Sequence, residues 1–110
     1  MANSFEDLFP KQQLKAFMVE FDVPSLTEEI VALIPKQRLA VGMMMSAGKL
    51  LTYTLSGDRR KLWSVMVGKS SQDVEEVLQK FPLTRYMRYR ISELMFHEAA
   101  SAGVPNMSLN

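Results

Sequence analysis

Lys15–Val23, KAFMVEFDV, alternates without a break. Phe17, Val19, Phe21 and Val23 fall on one face, and Met18, Glu20 and Asp22 on the other. A period of two with one strongly apolar side predicts a β-strand laid over a core. Pro24 stops it. Ser25 and Glu28 then form an S-x-x-E capping box that opens a helix, and the helical pattern runs towards Ala47, with Gly48 as its end signal. Pro35 lies inside this span, so the helix is either kinked there or built from two helices meeting end to end.

Outward from Gly48 the pattern returns to two. LLTYTLS places Leu51, Tyr53 and Leu55 on one side, Ser56-Gly57-Asp58 marks a turn, and KLWSVMVG places Trp63, Val65 and Val67 together. Ser70 or Ser71 caps a short helix with Val74, Val77, Leu78 and Phe81 at helical spacing. Phe81-Pro82 ends it, and a last strand from about Tyr86 to Leu94 aligns Met87, Tyr89 and Ile91. The order βαββαβ predicts a ferredoxin-like α+β fold, an antiparallel four-stranded sheet with two helices on one face. Residues 15–96 form that domain, with an N-terminal tail over 1–14 and a C-terminal tail over 97–110. In the N-terminal tail, Phe5, Leu8 and Phe9 have one-turn helical spacing.

Composition agrees with one small globular domain. The chain has 110 residues, 47% hydrophobic and 23% charged, enough to bury roughly two-thirds of the surface its unfolded form exposes. Thirteen Lys+Arg against twelve Asp+Glu give a net charge of +1, which argues against gripping nucleic acid or an anionic membrane by bulk charge. With no cysteine and one histidine, neither a metal centre nor a cofactor is expected. MANSFEDLFPKQQL lacks the basic start and apolar run of a signal peptide, and the uncharged run Leu39–Gly48 is about half of the ~20 residues a bilayer crossing needs. A cytoplasmic protein is expected.

If both helices cover the face carrying Phe17, Tyr53, Trp63 and Tyr89, the other face shows Met18, Glu20, Asp22, Leu62, Ser64, Met66, Arg88 and Arg90. Glu20 and Asp22 then meet Arg88 and Arg90 across the first and last strands. Such pairs on a solvated face contribute ~0–1 kcal/mol each. The sharper reading makes Met18, Leu62 and Met66 part of a homodimer interface threaded by those charges. An RNA-recognition motif shares βαββαβ, but it needs aromatic residues on the open face. With Trp63 inward, KLWSVMVG offers none.

FMVEFDV opening the sheet, AGK closing the long helix, and Pro82-Leu83-Thr84-Arg85-Tyr86-Met87 before the last strand resemble the muconolactone isomerase family, over about Phe17 to Leu94. The resemblance implies a dimeric α/β barrel, two protomers packing sheet on sheet, sometimes assembled further. It also implies a small-molecule pocket between sheet and helices, with Phe17, Arg38, Val41, Tyr53, Trp63, Tyr86 and Tyr89 as candidate lining. The family carries a glutamate at about the position of Gln37, thought to shuttle a proton as a double bond moves within a lactone ring.

Gln37 falls in the apolar stripe of the long helix among Ile30, Leu33, Ile34, Val41, Met44 and Met45. An unpaired amide there would cost ~1–3 kcal/mol. Gln37 therefore has a partner, lines a wet cavity, or is turned outward at Pro35. An amide cannot act as a general base. Among the remaining groups, only His97 has an unperturbed pKa suited to proton transfer near neutrality; beside Glu98, it reads first as a surface histidine. Two functional readings follow: a cofactor-free isomerase of a small lactone or cyclic acid, or a non-catalytic oligomeric barrel that binds a small ligand.

Overall fold

The turn Ser56–Lys61 sets the register of the sheet. Ser56 Oγ accepts from the Arg60 and Lys61 backbone N–H groups at 3.2 and 3.0 Å and donates to Asp58 Oδ1 at 2.7 Å. Arg59 closes the turn at φ 65°. This fixes Leu55 opposite Leu62, and the facing of β3 follows from that pairing.

The computed structural model describes residues 13–100. Within them, β1 (Lys15–Asp22), α1 (Glu28–Ser46), β2 (Leu50–Leu55), β3 (Lys61–Gly68), α2 (Ser71–Leu78) and β4 (Arg88–Glu93) succeed one another, with a 3₁₀ turn at Thr84–Tyr86 before β4. The sheet order is β2-β3-β1-β4, all neighbours antiparallel, and the fold is ferredoxin-like. Phe5, Leu8 and Phe9 and the outer parts of both expected tails lie outside the described residues.

Phe17, Val19 and Phe21 of β1 are buried as expected, with Val74, Val77, Leu78 and Phe81 of α2 and its exit closing over them. On β3 the facing is opposite to expectation. Phe17 pairs with Met66, Val19 with Ser64 and Phe21 with Leu62, so Leu62, Ser64 and Met66 enter the core. Trp63, Val65 and Val67 face the other way. KLWSVMVG is apolar on both faces, and a one-residue slip swaps every side chain; the hairpin, not the size of the side chains, decides. A register shift between Leu50 and Thr52 similarly puts Leu50 in the core, while Leu51 is 46% exposed.

α1 begins two residues later than expected. Thr27, not Ser25, is its N-cap, accepting from the Ile30 N–H at 3.2 Å. Pro35 is accommodated within one continuous helix. The helix ends in a Schellman motif: Gly48, at φ 75°, donates to the Met45 carbonyl, and Lys49 donates to that of Met44. Ser70 caps α2, accepting from the Asp73 N–H, while Asp73 reaches back to the Lys69 N–H at 2.8 Å.

Two glycines of α1 and its exit should respond to alanine with opposite signs. At neither would an added Cβ meet a neighbouring atom within 4 Å, so only backbone conformation counts. Gly48→Ala is expected to lose about 1–2 kcal/mol in urea denaturation because its φ is left-handed, and Gly42→Ala, inside the helix, to gain about 0.5–1 kcal/mol.

Candidate functional site

Ile30, Ile34, Gln37 and Val41 recur about one turn of α1 apart, and the first three line a hollow beside the helix's N-terminal half. A cavity of about 230 Å³ lies there. Its floor is the end of the sheet, with Val23 beyond β1, Tyr53 and Leu55 of β2 and Leu62 of β3. Its walls are Ile30 and Ile34, and its far side is the 3₁₀ segment, Leu83, Tyr86 and Met87. Almost all of this lining is apolar.

Gln37, 4% exposed, is the exception. Its Oε1 accepts from the Leu83 backbone N–H at 3.0 Å, and its Nε2 donates to Tyr53 Oη at 3.0 Å. Because a backbone N–H can only donate, the Leu83 bond fixes which end of the amide is oxygen. One side chain thus ties α1 to β2 and to the segment Pro82–Met87. That segment is itself anchored by Thr84, whose hydroxyl donates to the Leu78 carbonyl at 2.7 Å. Burial pushes the Tyr53 phenol above its ordinary pKa, with the Gln37 hydrogen bond acting in the opposite direction. Tyr53 is therefore a neutral hydrogen-bond donor at physiological pH. At the rim, Tyr86 Oη donates to Glu29 Oε2 of α1 at 2.6 Å, and the Arg85 guanidinium lies 5.1 Å from the Tyr86 ring centre.

Gln37, Arg38, Tyr53 and Tyr86 line this cavity. Phe17 and Val41 lie in the hydrophobic core beside it. Tyr89 packs its ring 5.8 Å from that of Phe21 and donates to Glu75 of α2 at 2.6 Å, outside the cavity. Trp63 is on the opposite face of the sheet, a correction that follows from the β3 register. His97 is exposed beyond β4 and is not among the cavity's lining residues. Leu83 and Met87 stand in the quoted Pro82–Met87 segment. Their part in the cavity depends on the path of the 3₁₀ turn, which no sequence spacing displays.

The open face of the sheet differs from expectation in the same way. Leu62 and Met66 leave it, and Trp63, Val65 and Val67 join Met18 there. The case against RNA recognition from an inward Trp63 therefore falls. At the end of this patch, Lys61 donates to Glu20 Oε2 at 3.1 Å and Asp22 Oδ1 at 2.6 Å, and Arg90 lies 3.4 Å from Glu20 Oε1. The Lys61 hydrogen bonds hold both carboxyls below the usual range, Arg90 adding to the effect on Glu20. Lys61, which in sequence belongs to a basic hairpin tip, is thus bound to two carboxylates.

Among the described residues, no group of three or more acidic or histidine side chains is placed to hold a metal. No helix there is long and apolar enough to cross a membrane. No protein-family model and no curated protein matches the chain, so membership of the muconolactone isomerase family is not shown. Among solved structures the chain is similar to a dimeric ferredoxin-like protein from an uncultured marine organism. That match has 15% identity and a TM-score of 0.42, and covers 79% of this chain and 94% of the other.

The Gln37 amide should tolerate change only at its nitrogen end. Gln37→Leu strands the Leu83 N–H and is expected to lose about 1–3 kcal/mol in denaturant unfolding. Gln37→Glu keeps an acceptor for Leu83, but burial raises its carboxyl pKa, so its stability should be greatest in acid, where the carboxyl is neutral, and fall as pH rises towards neutrality.

Proposed function

We propose that this chain is a muconolactone-isomerase-like protein that has kept the family's pocket without its acid–base chemistry: a cytoplasmic, cofactor-free homo-oligomer that binds a small molecule between α1 and the sheet. The observation that carries this reading is Gln37. It occupies the place at which the resemblance expects a proton-shuttling glutamate, and its amide is engaged at both ends in holding the cavity together. The titratable side chains lining the cavity are Arg38, Tyr53 and Tyr86. None is a general base near neutral pH, and burial moves Tyr53 further from that role.

The open sheet face supports the oligomer. Met18, Trp63 and Val67 are half-exposed on one side of a sheet whose other side is already covered by helices. A second copy laid on that face would bury them and close a two-sheet barrel.

Incubated with muconolactone, the purified protein is expected to give no double-bond migration by ultraviolet absorbance; turnover by the native chain would contradict the loss of chemistry. By sedimentation at tens of micromolar, the native chain should be a dimer or larger, and Trp63→Glu should shift it to monomer while keeping its circular dichroism. A native monomer would remove the barrel.

A further inference from the structure

The polar lining of the cavity is one-sided. Gln37 Oε1 is taken by Leu83, and one Nε2–H is taken by Tyr53 Oη. Each of the two side-chain oxygens has accepted one hydrogen bond, and the hydrogens still unpartnered are the second Nε2–H of Gln37 and the Tyr53 O–H. Neither has an acceptor among the described residues. Gln37 is almost wholly buried, and a buried donor left unmet costs ~1–3 kcal/mol. Two donors beside an apolar hollow mark the place of an acceptor atom. A carbonyl oxygen needs only the two donors, one for each lone pair.

Size and charge narrow the class. A cavity of about 150 Å³ holds benzene, so about 230 Å³ suits roughly one six-membered ring with a few further atoms. Arg38, the cation among the lining residues, is exposed, and a carboxylate drawn into the apolar part would lose hydration worth several kcal/mol.

We propose that the cavity binds an uncharged, single-ring carbonyl compound of the ketone class, its oxygen accepting from Tyr53 Oη and Gln37 Nε2. This assignment rests on the cavity being a ligand site, as argued above, and adds what the ligand must carry. Tyr53 is then the specificity-determining donor, and Gln37 both supports it and shares the oxygen.

The test is a ¹H–¹⁵N titration of the full chain with three probes of one ring: cyclohexanone, its isostere methylenecyclohexane, and cyclohexanecarboxylate. Cyclohexanone is expected to bind about threefold to tenfold more tightly than methylenecyclohexane, the worth of about one neutral hydrogen bond. It should also move the Gln37 side-chain amide signals, which methylenecyclohexane leaves in place. Equal binding of the two neutral probes, unmoved Gln37 signals, or tightest binding by the carboxylate would each overturn the ketone assignment and leave the cavity a ligand site. If no probe perturbs Leu83, Tyr53 or Gln37, the ligand-site reading falls as well.

Discussion

The amide of Gln37 is the constraint on which the site depends. Three pieces of chain distant in sequence meet at it: the middle of α1, Tyr53 on β2 and the Leu83 turn that leads into β4. Apolar packing would bring α1 against the sheet without it, but packing is non-directional and would leave the Leu83 N–H unsatisfied. The amide supplies an acceptor oxygen and two donor hydrogens at one point, and the oxygen and one of the hydrogens are engaged in structure. A carboxylate at the same place would offer acceptors alone at neutral pH, and the Tyr53 hydroxyl would then turn towards it. A glutamine at position 37 thus leaves the hollow free hydrogens where a glutamate would leave it acceptors, and an amide is no base.

Much of the fold can be read from periodicity, because β1, α2 and the glycine that ends α1 each obey one rule clearly. KAFMVEFDV has a single apolar face, and Val74, Val77, Leu78 and Phe81 have a single helical stripe. The Glu20–Arg90 pairing across β1 and β4 follows from strand order alone, and the structure has it at 3.4 Å. Periodicity fails where a segment is apolar on both sides. In KLWSVMVG either alternate set could form the core, and the Ser56–Lys61 turn sets the register that puts Leu62, Met66 and small Ser64 inside and Trp63, Val65 and Val67 on the other face. In LLTYTL a bulge, which has no sequence marker here, sends Leu50 rather than Leu51 into the core.

The site is legible in part for the same reason. Helical spacing puts Gln37 in the apolar stripe and poses the question of its partner. It cannot name Leu83, because that contact spans 46 positions and depends on the path of the 3₁₀ turn. Trp63 would belong to the pocket only if β3 faced the other way; the register puts it on the open face of the sheet instead. The methionine-rich end of α1 shows a similar limit: Met44 packs on the core while Met43 and Met45 are exposed, a division that composition does not reveal.

Hydrogen exchange at the Leu83 amide tests the clamp most directly. Its N–H belongs to no helix or strand, and its bond to Gln37 is its link to the rest of the fold. In the native chain it should exchange as slowly as amides of α1, since opening it requires α1 to leave the sheet. In Gln37→Leu it should speed up far more than the neighbouring Tyr86 and Met87 amides, which bond within the turn. A Leu83 amide that exchanges in the native protein as fast as an exposed loop would contradict the account, because the amide would then not be holding the turn to the helix.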